Sequence, residues 1–81
     1  MKTPSTPANL TSLVSGESAT ILAIHTDDAL RQRLMALGFR VGKRIELIRK
    51  ASFSGPLQVR IGTTDILLRK HEASKIAVDK I

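Results

Sequence analysis

The candidate metal-ligating side chains are His25, His71, Asp27, Asp28, Glu46, Asp65 and Glu72. Only His25 with Asp27 and Asp28, and His71 with Glu72, lie close in sequence. Neither group has the spacing of a tetrahedral zinc site or of a facial triad. Plainer roles account for them. Asp27 and Asp28 suit a helix start, where carboxylates meet free amides and the positive end of the helix dipole, and His71 and Glu72 read as solvated turn residues. The chain has no cysteine, which leaves no thiolate ligand, thiol nucleophile or disulfide. It has no GxSxG nucleophile elbow and no GxxxxGK[ST] phosphate loop. No catalytic residue, cofactor site or metal ligand is assigned, and the chain is expected not to be an enzyme.

Charge is the next clue. Thirteen Lys and Arg against seven Asp and Glu leave a formal net charge of +6, which suits a nucleic acid, an anionic membrane surface or an acidic protein partner. Aromatic rings narrow the choice. Phe39 and Phe53 are the only two, with no Tyr or Trp, whereas single-strand readers stack bases on several rings and proline-motif readers line a groove with them. Arg31, Arg33 and Arg40 have the chemistry to act as an arginine finger on a partner's nucleotide, but basic residues on the outer face of a helix are ordinarily just solvated. No apolar run exceeds that of Ile21–Ile24, so neither a membrane span nor a signal segment is expected. The absence of cysteine suits a reducing cytosol. Asn9-Leu10-Thr11 fits a glycosylation sequon but carries no weight without an export signal.

The elements that must position these residues follow from patterning. An 81-residue chain with 42% apolar residues can build a single core. Residues 1–8 read as a disordered tail, and the domain as 9–81. Asn9 is placed to cap a short turn bearing Leu10 and Leu13, and Ser15-Gly16-Glu17 breaks the chain before the first strand, Ser18 to His25. In that strand Ala19, Ile21 and Ala23 share one face. Thr26 is expected to cap a helix running to Leu37, with Leu30, Leu34 and Leu37 as its core stripe. Gly38 stands where a left-handed residue ends a helix, and Phe39 where an apolar side chain folds back onto the last turn.

Three strands are expected next. The first is RIELIRK, with Ile45 and Leu47 on one face. After the loop ASFSGP comes LQVRI, with Leu57, Val59 and Ile61 inward, and then a turn over Gly62 to Asp65 leads into ILLRK. A helical turn over Lys70 to Ser74 precedes a closing strand bearing Ile76 and Val78. The fold class is therefore mainly β. Five short strands make a small closed or nearly closed barrel, with one α-helix between the first two strands and a short helical turn before the last.

The segment Arg33-Leu34-Met35-Ala36-Leu37-Gly38-Phe39-Arg40-Val41-Gly42 resembles the signature of the FeoA family. There a helix ends in a leucine or methionine followed by glycine and an apolar residue, and a second glycine precedes the next strand. Leu10, Leu13, Gly16 and Glu17 look like the family's opening. Gly55-Pro56-Leu57, Ile66-Leu67-Leu68-Arg69 and Glu72-Ala73 look like its hairpin and closing turn. The likeness covers about residues 10 to 81. It departs at Val41, where proline is more usual, and at Ser54-Gly55, where an acidic residue often precedes the proline.

The resemblance implies an SH3-like barrel and a cytosolic accessory of ferrous iron uptake that binds FeoB, a membrane permease with a cytosolic GTP-binding domain. Two alternatives stand beside this role. One is a basic small-barrel module for nucleic acid; the other is a free-standing relative of the last domain of iron-dependent repressors. For the partner contact the informative side chains are apolar or basic ones that the pattern leaves outside the core. Met35 lies off the leucine stripe beside Arg31, and Phe53 sits in the ASFSGP loop with Leu57 just beyond it. Arg49 and Lys50 end the preceding strand. These six are the expected partner-binding residues.

Overall fold

The computed structural model describes residues 8–53 and 55–81. The segment 1–7, expected to be a disordered tail, lies outside the described residues. The chain folds as β1 (Ala8–Asn9), a single 3-10 turn (Leu10–Ser12), β2 (Ser18–Ile24), α1 (Asp28–Ala36), β3 (Arg44–Lys50), β4 (Leu57–Ile61), β5 (Thr64–Leu68), α2 (Lys70–Ala73) and β6 (Ile76–Lys80). All strand pairs are antiparallel and join in the order β1-β6-β2-β3-β4-β5. Five of these strands match the expected ones. The sixth, β1, was missed: Ala8, assigned to the tail, pairs with Val78, and Asn9 with Ala77. Two residues carry too little pattern to read as a strand, and tertiary pairing makes them one.

The core is apolar and continuous, from Leu10 and Leu13 through Ile21, Ile45, Leu47, Val59 and Leu68 to Ile76 and Val78. Two bulges re-aim it. Pairing of β2 with β6 slips between Ile21 and Ala23, which places Leu22 outside and brings Ile24, rather than Ala23, into the core. Between Leu47 and Arg49 the β3–β4 register slips in the same way. A bulge adds one residue and so reverses the inside–outside alternation beyond it.

The α1 helix is capped by Asp27, whose Oδ1 accepts the Leu30 N–H at 2.9 Å, one residue later than the expected Thr26. It buries less than its stripe suggests: Leu34 is fully buried and Leu30 partly, but Leu37 is 40% exposed. The reason lies in the helix stop. Gly38 takes φ +103°, its N–H bonds the Met35 carbonyl at 3.0 Å, and the Phe39 N–H bonds the Leu34 carbonyl at 3.0 Å. This Schellman closure swings Phe39 into the core in place of Leu37, where it is completely buried. The β4–β5 hairpin turns over two residues, Gly62 and Thr63, rather than four, with Ile61 opposite Thr64. Asp65 is thus a strand residue. Its carboxylate takes two bonds from Arg60, at 2.7 and 3.1 Å, and one from Gln58 at 3.1 Å.

Candidate partner-binding cleft

Three elements meet at one end of the sheet: the 3-10 turn, the β3–β4 loop and α2. Asn9 starts the first by accepting the Thr11 N–H at 2.8 Å. The loop is closed by the Ala51 N–H on the Pro56 carbonyl at 3.1 Å and by the Gly55 N–H on the Ser52 carbonyl at 3.2 Å. α2 is held by Glu72, whose carboxylate accepts the Arg69 N–H at 3.0 Å and the Arg33 guanidinium at 2.6 Å. Between them opens a cleft of about 770 Å³ lined by Thr11, Pro56, Arg69, Lys70, His71 and Ser74. Pro56, Arg69 and His71 also border a second hollow of about 540 Å³ that reaches Leu67 and Arg33. Thr11 and Lys70 border a recess of about 200 Å³ with Lys50, Phe53, Gly55 and Leu57.

Phe53 is the most exposed large apolar residue described, at 97%, and its backbone sits at φ +61°. A left-handed conformation is uncommon for a bulky residue and costs on the order of 1 kcal/mol. The ring is thus displayed rather than stored. Lys50 stands beside the same recess, its ammonium donating to the Thr11 carbonyl at 2.7 Å.

Glu72 is 7% exposed, which corrects its reading as a solvated turn residue. Burial pushes its carboxyl up, but the Arg69 N–H and the Arg33 guanidinium outweigh this and hold it below the usual carboxylate range. Asp65 is also held low, chiefly by the hydrogen bond from Arg60. Two of the five candidate carboxylates, Glu72 and Asp65, are thus engaged by arginine. Among the described residues no three His, Asp or Glu side chains come together.

Of the six expected partner-binding residues, the structure gathers Lys50, Phe53 and Leu57 around one recess. Leu57 does so from beneath: it is 1% exposed and belongs to the core, which corrects its assignment to the surface. The strand period that put Leu57 inward was the better guide. Met35 is 43% exposed and Arg31 is tied to the Thr26 carbonyl at 3.2 Å; neither these two nor the exposed Arg49 borders the three hollows. Arg69, Lys70 and His71 were not singled out as contact residues. Their signal was present as three consecutive cationic or ionisable residues after an apolar strand, at a helix start that faces the Phe53 loop.

A curled antiparallel sheet of short strands, with adjoining hollows at one end bordered by basic side chains, defines a small SH3-like domain. The chain belongs to the FeoA family, whose FeoA domain profile matches residues 8–80. It is 32% identical over 72 residues to a Porphyromonas gingivalis Fe(2+) transport protein A/Fe(2+) transporter FeoB fusion protein, a match covering 89% of this chain and 8% of that much longer one. It is 33% identical to Stenotrophomonas maltophilia FeoA, an SH3 domain protein solved in complex with zinc, with a TM-score of 0.77 over 89% of each chain. A manganese-dependent transcriptional repressor, 21% identical with a TM-score of 0.84 over 95% of this chain and 44% of its own, shares the fold alone. No described helix is long and apolar enough to cross a membrane.

Proposed function

We propose that this chain is a non-enzymatic accessory of ferrous iron uptake that acts from the cytosol by binding a FeoB-type permease. The observation that carries the reading is the fusion relative, in which a domain similar to this one is joined in one polypeptide to an Fe(2+) transporter. Covalent linkage raises the effective concentration of one module at the other, an advantage only where the two work together. The displayed Phe53 and the cleft beside it offer a surface for the contact, since interface energy concentrates in a few large anchoring side chains.

The test is binding of the purified chain to the detergent-solubilised permease of the same organism, alongside Fe(II) uptake by a deletion strain at low external iron. Saturable binding with reduced uptake is expected. Unchanged uptake and no measurable binding would overturn the reading. A nucleic-acid role is favoured by the charge of +6 alone. Tight binding to single-stranded RNA that falls steeply with salt, as phosphate counterions are released, would select it instead.

A further inference from the structure

We infer that the cleft between the 3-10 turn, the β3–β4 loop and α2 receives an acidic segment of the partner, with carboxylates on either side of an apolar residue. The inference rests on the accessory reading above and names the chemistry of its contact. Lys50, Arg69, Lys70 and His71 converge on the joined hollows. Among the described residues Lys50, Arg69 and Lys70 form no ion pair, whereas Arg33, Arg60 and Lys80 pair with Glu72, Asp65 and Glu17. Glu72, the one acid that borders any of these hollows, lines the second of them and is already paired with Arg33 and the Arg69 N–H. Its charge is therefore not available to the lysines.

Lys50 is fixed in place by a neutral carbonyl, which positions the ammonium without neutralising it. Like charges gathered on one surface repel each other, and an anionic ligand relieves that repulsion while it is steered in. The apolar half of the match is Pro56 with the Phe53 ring. A loop that used Phe53 for its own stability would bury it; this loop instead holds the ring in solvent in a left-handed conformation. Nucleic acid fits less well, because among the described residues only Phe53 and the His71 imidazole present aromatic rings beside these hollows, and successive bases stack on several.

The probe is a fluorescein-labelled peptide, Gly-Glu-Glu-Phe-Glu-Glu-Gly, with its Gln-for-Glu counterpart as control, titrated with the whole chain and followed by anisotropy. The Glu peptide is expected to bind at least about tenfold more tightly than the Gln peptide, with the difference shrinking as salt rises. Lys70→Glu is expected to weaken Glu-peptide and permease binding by about tenfold or more. A carboxylate suits the first position of α2, so that loss is not one of folding; Lys50→Gln, checked by melting temperature, gives a second reading. Equal binding of the two peptides would overturn the inference, as would full permease affinity in both variants, the latter leaving the accessory role standing. Peptide binding without permease binding would uphold the acidic-segment chemistry while the accessory role falls. Polyuridylate displacing the Glu peptide at physiological salt would overturn the inference in favour of nucleic acid.

Discussion

Arg33 on α1 and Glu72 on α2 meet at 2.6 Å across 39 residues of sequence. The contact is asymmetric. The Arg33 side chain is 62% exposed and the Glu72 side chain 10%, so the guanidinium lies over a carboxylate that α2 has already turned inward to cap its own first turn. One side chain thus joins the start of the short helix to the long one and to the wall of the cleft.

A pH dependence follows. The folded protein holds the Glu72 carboxyl below its ordinary value, so between the folded and the unfolded pKa the unfolded chain binds more protons, and stability rises with pH there. The contribution is fully present above the ordinary glutamate range and is lost as pH falls through the folded pKa. Glu72→Gln is expected to lower stability at neutral pH and to flatten the acid limb of the stability profile. Urea unfolding at a series of pH values checks this; parallel acid limbs in the two proteins would refute it.

Leu34 and Leu37 lie on the same sequence stripe but carry unequal weight. Leu34→Ala removes a fully buried side chain and is expected to cost about 2–5 kcal/mol, whereas Leu37→Ala, at a helix cap 40% exposed, is expected to cost less than about 1 kcal/mol. Denaturant midpoints at constant slope measure both.

Gly55 has no room for a methyl group. A Cβ there would fall 2.5 Å from the Ala51 Cβ and 3.2 Å from the Ser52 carbonyl oxygen. Gly55→Ala is expected to destabilise the loop by about 1–3 kcal/mol. Because the tighter clash is with a side chain, Ala51→Gly in the same chain is expected to recover part of the loss, a coupling that a double-mutant cycle reads directly.

Phe53 separates stability from contact. Phe53→Gly removes an exposed ring and relieves its left-handed backbone, so the melting temperature is expected to hold or rise, by up to about 1 kcal/mol in stability. Permease binding is expected to weaken by about 1–3 kcal/mol in both Phe53→Gly and Phe53→Ala. A fall in melting temperature with unchanged binding would mean that the ring serves the fold.

Much of this architecture was legible because period, caps and glycine stops agreed: Leu34, Gly38 and Phe39 announced the end of α1, and Leu57, Val59 and Ile61 the inner face of β4. What escaped was set by tertiary pairing. The bulge at Leu22 exchanges Ala23 for Ile24 in the core, and no property of either residue signals an inserted position. Ala8 becomes a strand only because Val78 is opposite. The cleft was half visible, since Phe53 and Lys50 stood out in and beside the loop. Its other wall, Arg69 to His71, depends on β5 and α2 arriving next to the 3-10 turn, which neighbours in sequence do not record.

The pairing of β1 with β6 also determines how the domain responds to a pull on its ends. Ala8 lies opposite Val78 in an antiparallel ladder, so the described chain begins and ends at the same edge of the sheet. The last residue is fixed independently, the Ile81 N–H bonding the Ser18 carbonyl at 3.1 Å, while β1 holds by two residue pairs alone. Tension applied between the ends would open those pairs in succession, like a zip, instead of loading them together in shear. Mechanically the β1–β6 edge is where such a pull opens the sheet first, while β6 stays paired with β2.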